Sequence, residues 1–201
     1  MSTVSPHLAL PMALVYSYLF PVMWLSWAAY WWALSRNVKV AARRESLPSR
    51  FLHIGPLLLA LLLLWVPSVP LPFLGARFLP LATWPFWTGA VLAAGGLLLT
   101  VWARHHIGGN WSGIVTIKEG HELITSGPYA IVRHPIYTGL LLAFVGSAMA
   151  RGEWRGILAV AIALWALWRK LRLEECWMRE QFGEAYQAYC RRVSALLPFI
   201  L

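Results

Sequence analysis

Aspartate does not occur in this chain, and its eight acidic residues are all glutamate. The six histidines form no HExxH, and without aspartate beside them no metal site is expected. A Walker-type loop, a GxGxxG turn and a GxSxG nucleophile elbow are also missing, so no phosphate cradle or serine-hydrolase site is legible. Only two cysteines occur, Cys176 and Cys190. They lack the paired spacing of a zinc site and read as inert or packed thiols in a reducing compartment. Charge is scarce as well: 12% of residues are charged against 59% hydrophobic, with thirteen tryptophans, far from the balance of soluble domains. No repeat, low-complexity tract or flexible linker divides the chain, which reads as one membrane domain over 1–201.

Long apolar runs are what the chain does have. A span needs about 20 mostly apolar residues, and five stretches qualify. They run from about Leu10 to Leu34, Phe51 to Pro67, Pro85 to Trp102, Pro135 to Ala150 and Trp154 to Leu171. Pro21 predicts a kink in the first, and Gly89, Gly95 and Gly96 allow close helix approach in the third. Only Arg151-Gly152-Glu153 separates the last two, which predicts a tight antiparallel hairpin. The fold class expected is an all-α integral membrane protein with five transmembrane helices, a long cytoplasmic loop and a C-terminal amphipathic helix. No basic n-region precedes the first apolar run, so the start does not read as a signal peptide.

The formal charge of +9 is carried by cations that flank apolar runs. That pattern suits anionic lipid headgroups, and no nucleic-acid partner is expected. Fourteen cations fall between spans one and two, between three and four, or after five. Only Arg77, Arg151 and Arg155 lie on the opposite side. The positive-inside rule then places the N-terminus outside and the C-terminus in the cytoplasm, in the inner membrane if the source is bacterial.

Two polar segments could carry chemistry. His121 to Gly139 reads HELITSGPYAIVRHPIYTG. Proline restricts the residue before it and is tolerated at a helix start, so His134 should sit just outside a helix that Pro135 opens. The N–H groups of that helix end, with Arg133 and His134 beside them, suit a carboxylate or phosphate. Equally, this is a plain interfacial helix start, with Arg133 reaching headgroups and Tyr137 in an aromatic belt. Ser126-Gly127-Pro128-Tyr129 is turn chemistry that would fold the preceding strand of residues back over this entrance. Tyr129 there either packs the loop or offers its ring to a cation. The second segment is RKLRLEE, Arg169 to Glu175. Its Lys170–Glu174 and Arg172–Glu175 pairs have helical spacing, and a solvated charged face is the bland explanation. Phe182, Tyr186, Tyr189 and Val193 keep that spacing, so the tail should pack an apolar stripe on the bundle.

HELITSGPYAIVRHPIYTG, a short apolar hairpin and EECWMREQFGEAYQAYCRRVSALLPFI together resemble the isoprenylcysteine carboxyl methyltransferase family and its bacterial relatives. That family lies in a wider group with phospholipid methyltransferases. The resemblance covers the last hundred residues or so, and joins GPYxxxRHPxYxG to EE and FGxxYxxY. It implies S-adenosylmethionine held at the cytoplasmic face by residues 85–201, chiefly by 121–139 and 169–193, with 1–84 supplying the first two spans. Position by position it implies cofactor contacts for His121, Glu122, Leu123, Ile124, Tyr129, His134, Pro135, Ile136, Tyr137 and Glu174. The family's substrate-facing arginine falls on Lys170, which keeps the charge but loses bidentate geometry. Arg169 or Arg172 is placed to compensate, so Lys170, Arg172 and Glu174 are the expected catalytic residues. The implied acceptor is lipophilic, a prenylcysteine-like carboxylate or a phospholipid, entering from the bilayer.

Two other classes compete. A sterol-reductase-like enzyme would need a basic pocket for the extra phosphate of a nicotinamide cofactor, and none is evident. A transporter or assembly factor would show ionisable residues buried in mid-span, which these spans almost lack. The cation asymmetry makes its own prediction. A reporter fused after Leu201 should be active only if it works in the cytoplasm; activity of a periplasm-dependent reporter there would reverse the topology.

Overall fold

The computed structural model describes residues 6–34, 41–66, 71–111, 116–118 and 122–198. It is mostly helical. Helix α1 spans Pro6–Leu34, α2 Leu47–Trp65, α3 is a single turn at Pro72–Gly75, α4 spans Thr83–Ile107, α5 Pro135–Arg151 and α6 Trp154–Arg192. The five long helices fall where the apolar runs are. Their boundaries follow local chemistry. Ser46 caps α2 by accepting from the Ser49 N–H at 3.4 Å. Pro135 starts α5 after His134, and Gly152 ends it in the left-handed conformation at φ +67°.

The tightest packing joins α4 to α5, and small residues make it possible. A Cβ on Gly96 would strike the Gly139 carbonyl and stand 2.7 Å from the Ala143 backbone nitrogen. A Cβ on Gly89 would strike the Gly146 carbonyl in the same way. The glycines recur every seventh residue on both helices, with Ala93 and Ala143 fully buried between them, so the backbones touch along two turns. Tryptophans fasten α1 to this pair. Trp24 Nε1 donates to Ser147 Oγ at 3.1 Å, and Trp27 Nε1 to Thr100 Oγ1 at 2.6 Å. Helix α2 lies against α6, where Arg169 donates to the Ser49 carbonyl at 3.1 Å and to its hydroxyl at 3.2 Å.

At the end of the bundle bearing the α5–α6 turn, all three arginines cap carbonyls. Arg151 donates to the Leu64 and Val66 carbonyls at 2.6 and 3.1 Å, Arg155 to Val66 at 2.6 Å, and Arg77 to Arg151 at 2.7 Å. These are carbonyls at the C-termini of α2 and α5 that the helices themselves leave open.

Outward-facing side chains are apolar over long stretches: Leu58, Leu59 and Leu62 on α2, Val91 and Leu98 on α4, Leu164 and Trp165 on α6. Surfaces of this extent are unfavourable in water. Helix α2 and the segment Thr83–Asn110 are long and apolar enough to cross a membrane, and α5 is a shorter apolar helix. The chain is a membrane protein.

Two expectations change. The fold is not purely helical, because Ala41–Arg44 (β1) pairs antiparallel with Thr116–Lys118 (β2), Arg43 opposite Ile117. Segments of four and three residues are too short to show strand alternation. The charged turns after the fifth run are also no separate tail, because α6 continues into them; it breaks at Gly183, where φ is +51°, and a short C-terminal helix follows to Arg192.

The glycine seam predicts a contrast between neighbours. Gly96→Val should destabilise the protein by several kcal/mol, since the clash is with backbone that cannot retreat. Gly95→Ala meets nothing within 4 Å and should be neutral or slightly stabilising. Thermal unfolding of the detergent-purified variants tests this; equal melting points would remove the seam from the account.

Candidate active site

The site is assembled where the entrance to α5 meets the charged turns of α6. His134 is the N-cap of α5 in a non-helical conformation, φ −125° and ψ 61°. The chain beyond α6 turns back along this entrance. The Arg133 N–H donates to the Ser194 carbonyl at 2.8 Å and the His134 N–H to Ala195 at 3.0 Å. Thr138 Oγ1 donates to the Leu196 carbonyl at 2.7 Å. The His134 carbonyl takes the Tyr137 and Thr138 N–H groups, both at 3.0 Å, so fewer donors are free at this helix end than the sequence suggests.

The adjacent carboxylates of α6 do different work. Glu175 is a structural anchor. Arg133 donates to its Oε1 from Nε at 2.9 Å and from the terminal nitrogen at 2.6 Å. Arg179 reaches Oε2 at 3.1 Å, and the His134 ring lies 3.4 Å from Oε1. The other arm of Arg133 donates to the Cys190 carbonyl at 3.4 Å and to Val193. Burial alone would raise the Glu175 carboxyl, but hydrogen bonds from His134 and Arg133, and their charges, hold it at about 2. Burial opposes the Arg133 charge, yet Glu175 more than offsets it and raises the guanidinium above its ordinary value.

Glu174 instead faces a cavity. The Tyr137 hydroxyl donates to it at 2.6 Å, Lys170 Nζ lies 3.9 Å away, and His134 Nδ1 lies 3.7 Å away. His134 and Tyr137 stack almost parallel, 5.4 Å between centroids, and the Lys170 ammonium stands 5.4 Å from the Tyr137 ring. The cavity measures about 230 Å³. Glu122, Leu123, Ile124, Tyr129, Arg133 and His134 form its loop side, with Lys170, Glu174, Tyr186 and Tyr189 opposite on α6. Trp27, Trp31, Leu57, Leu140 and Leu167 supply apolar lining.

The GPY turn is braced from α4. Gly127 has φ +59°, and a Cβ there would stand 2.6 Å from the His106 ring, whose Nε2 lies 2.9 Å from Ser126 Oγ. Tyr189 donates to the Tyr129 carbonyl at 2.5 Å. Burial, followed by the Glu174 charge, pushes the Tyr129 phenol well up. Burial likewise raises Tyr186, and Tyr189 to about 12. All three therefore stay neutral near pH 7 and offer uncharged ring faces to the cavity.

Of the residues expected at the site, Glu122, Leu123, Ile124, Tyr129, His134, Ile136, Tyr137, Lys170 and Glu174 all line this cavity. Pro135 is buried as the start of α5 and does not line it. His121 lies outside the described residues. Arg172 is exposed on α6, and its expected partner Glu175 is taken by the nearly buried Arg133 and by the exposed Arg179 one turn further on. Arg169 is turned to Ser49, so neither arginine stands in for Lys170 at the cavity. Trp27, Trp31, Asn110 and Trp111 also line the site. A span's inward face is not marked in a run that is apolar all round, and only the GGNW break beside His105-His106 hinted at this end of α4.

A profile of the phospholipid methyltransferase family matches residues 84–185, which hold the α4 scaffold, the GPY turn, the α5 entrance and both carboxylates. The chain belongs to the phospholipid methyltransferase family. It is 36% identical over 84 residues to a probable protein-S-isoprenylcysteine O-methyltransferase of Oryza sativa subsp. indica, covering 41% of this chain and 44% of that protein. With the protein-S-isoprenylcysteine O-methyltransferase of Schizosaccharomyces pombe it shares 33% over 96 residues, 46% of this chain and 41% of the relative. The enzyme of that name from Homo sapiens is 32% identical over 121 residues, 59% of this chain and 43% of the relative. These matches span less than half the length of each relative.

The depressed Glu175 carboxyl gives a pH prediction with a definite sign. Its ionised form adds stability that is fully present above its unfolded value near 4.5 and is lost as pH falls toward about 2. Melting temperatures of the wild type should fall more steeply across that window than those of Glu175→Gln, which starts lower. Parallel curves would show that the Arg133–Glu175 pair carries no linkage.

Proposed function

We propose that this chain is an integral-membrane methyltransferase that uses S-adenosylmethionine to methylate a lipophilic acceptor, in the manner of its isoprenylcysteine-type relatives. The observation that carries the proposal is one cavity lined by two chemically different sets of side chains. Glu174, His134, Tyr137 and Lys170 make up the polar set, and Trp27, Leu57, Leu140 and Leu167 the apolar one. A soluble zwitterionic donor fits the first, and the tail of a lipid-like acceptor fits the second. The topology that goes with it has all five long helices crossing the bilayer and the site at the cytoplasmic face. Fourteen cations on that side, and three arginines occupied as helix caps on the other, support this orientation.

The residues present fit the donor. Glu174 supplies a carboxylate for its ammonium group, and the neutral rings of Tyr129 and Tyr189 offer faces to a sulfonium. Bound S-adenosylmethionine supplies an electrophilic methyl group. Lys170, buried beside Tyr137, holds a single positive charge where the acceptor's carboxylate would dock. A carboxylate is already ionised near pH 7, so no side chain has to remove a proton. Methyl transfer from such a donor to that carboxylate would give an ester and leave the donor as a thioether, with Glu174 holding the donor and Lys170 the acceptor. Opposite charges are consumed together. The apolar walls therefore assist by excluding water while Lys170 and Glu174 fix alignment.

A nicotinamide phosphate, which calls for a cluster of cations, fits poorly: of Arg133 and Lys170, which line the cavity, Arg133 is taken up by Glu175 and two carbonyls, so a single lysine remains.

The two charged residues should separate in a binding experiment. Glu174→Gln should weaken S-adenosylhomocysteine about ten- to hundredfold by calorimetry, the scale of a lost charge-assisted bond. Lys170→Ala should leave that affinity within about threefold while raising the KM for the acceptor. Unchanged donor affinity in Glu174→Gln would refute this assignment of the polar set.

A further inference from the structure

Asn110 stands out among the residues around the cavity. It ends the 3-10 turn Gly108–Asn110 that follows α4, is only 8% exposed, and lines the cavity wall. Its Oδ1 has no hydrogen-bond partner among the described residues. Buried carboxamides are ordinarily satisfied, and one that is not calls for a reason.

The turn that carries it is held firmly. Arg104, 2% exposed, donates to the Gly108 carbonyl at 2.8 Å and to the Leu34 carbonyl at 2.8 Å. Its guanidinium also lies 4.4 Å from the Trp111 ring centroid. Gly108 adopts φ +56°, which other residues rarely take, and its carbonyl accepts the Trp111 N–H at 3.2 Å. Trp111 packs edge-on against Trp31 at 5.6 Å. A buried cation, two carbonyls and an aromatic pair thus fix the turn that carries Asn110, whose own side-chain acceptor is left unpaired. Such pre-organisation is what a ligand-reading group requires.

The surroundings indicate what is read. Ile107 and Trp111 flank Asn110, and the His106–Ser126 contact at 2.9 Å brings the segment bearing Leu123 and Ile124 to the same end of α4. These walls are flat and apolar. A carboxamide presents one acceptor beside one donor, and so matches an edge that donates and accepts side by side. Adenine has such an edge, in its 6-amino group and the neighbouring ring nitrogen. The charged end of the donor has its partner elsewhere, at Glu174, and the acceptor's tail has the apolar lining of Trp27, Leu57 and Leu140.

We propose that the Asn110 carboxamide, carried on the turn that Arg104 holds through the Gly108 carbonyl, hydrogen-bonds the adenine edge of the methyl donor and sets the site's preference for adenine; this rests on the S-adenosylmethionine reading above. Asn110 Oδ1 accepts from the 6-amino group, and Nδ2 donates to the adjacent ring nitrogen.

The test is a variant-by-analogue comparison on the full chain in detergent, using calorimetry. The ligands are S-adenosylhomocysteine and its purine analogue lacking the 6-amino group. Wild type should bind the analogue about ten- to hundredfold more weakly. Asn110→Leu should lose about as much for S-adenosylhomocysteine and no longer distinguish the two ligands. The melting point of the ligand-free variant should stay level or rise, because an unpartnered polar group has been removed. Asn110→Ala provides the same comparison if the leucine variant does not fold. Retained affinity for S-adenosylhomocysteine, or a variant that still discriminates, overturns the proposal. A lowered melting point with unchanged affinity also overturns it, making Asn110 a packing residue. Wild type that binds neither ligand sinks the methyltransferase reading itself, which the variant outcomes leave standing.

Discussion

One ion pair holds the functional end of this protein together. Arg133 precedes α5 by two residues, Glu175 lies on the inward face of α6, and they meet with both partners nearly buried. The remaining donors of Arg133 go to carbonyls at the end of α6, and the backbone of Arg133 and His134 pairs with residues 194 and 195. The helix entrance, the charged helix and the returning C-terminal segment are thereby locked to one point. Removing one partner of such a pair leaves an uncompensated buried charge, which costs about 3–5 kcal/mol. Because Glu175 takes the structural duty, Glu174 on the next position is left facing the cavity.

The second constraint is steric. Glycine and alanine let α4 and α5 approach to backbone contact, which places the turn after α4 beside the loop before α5. His106 under Gly127, Tyr129 reaching toward the Ala103 carbonyl and Asn110 at the cavity wall all depend on that closeness. Helix α1 completes the enclosure, since its tryptophans are both rivets to α4 and α5 and part of the apolar lining.

Much of this was readable in the chain. Proline and glycine punctuation located the α5 entrance and its C-terminal turn, because both residues restrict φ in ways that hold in any surroundings. The cavity-lining set from Glu122 to Tyr137, with Lys170 and Glu174, was also legible through its resemblance to a known family. Three features were not. Helical spacing allowed Arg172 to reach Glu175, but a stronger partner came from a distant segment, and sequence proximity cannot weigh that competition. Gly183 sits inside a helical pattern and gave no sign that the helix breaks there. The inward faces of α1 and the carboxamide of Asn110 were hidden because, in runs apolar on every side, periodicity does not separate a cavity wall from a lipid-facing surface.

The continuity of α6 has a mechanical consequence. From Trp154 to Glu174 the helix rises about 30 Å at 1.5 Å per residue, close to the roughly 30 Å of a bilayer's hydrocarbon core. Under the proposed topology, this one rod is a ruler with an aromatic anchor at its outer mark and the reacting groups at its inner mark. Thinner or thicker lipid forces such a rod to tilt or slide, at a modest cost for each ångström of mismatch. Lys170 and Glu174 would then shift against Tyr137 and His134, which are seated on the shorter α5. In that topology, bilayer thickness would enter the geometry of the candidate site directly, through a single helix that belongs to both.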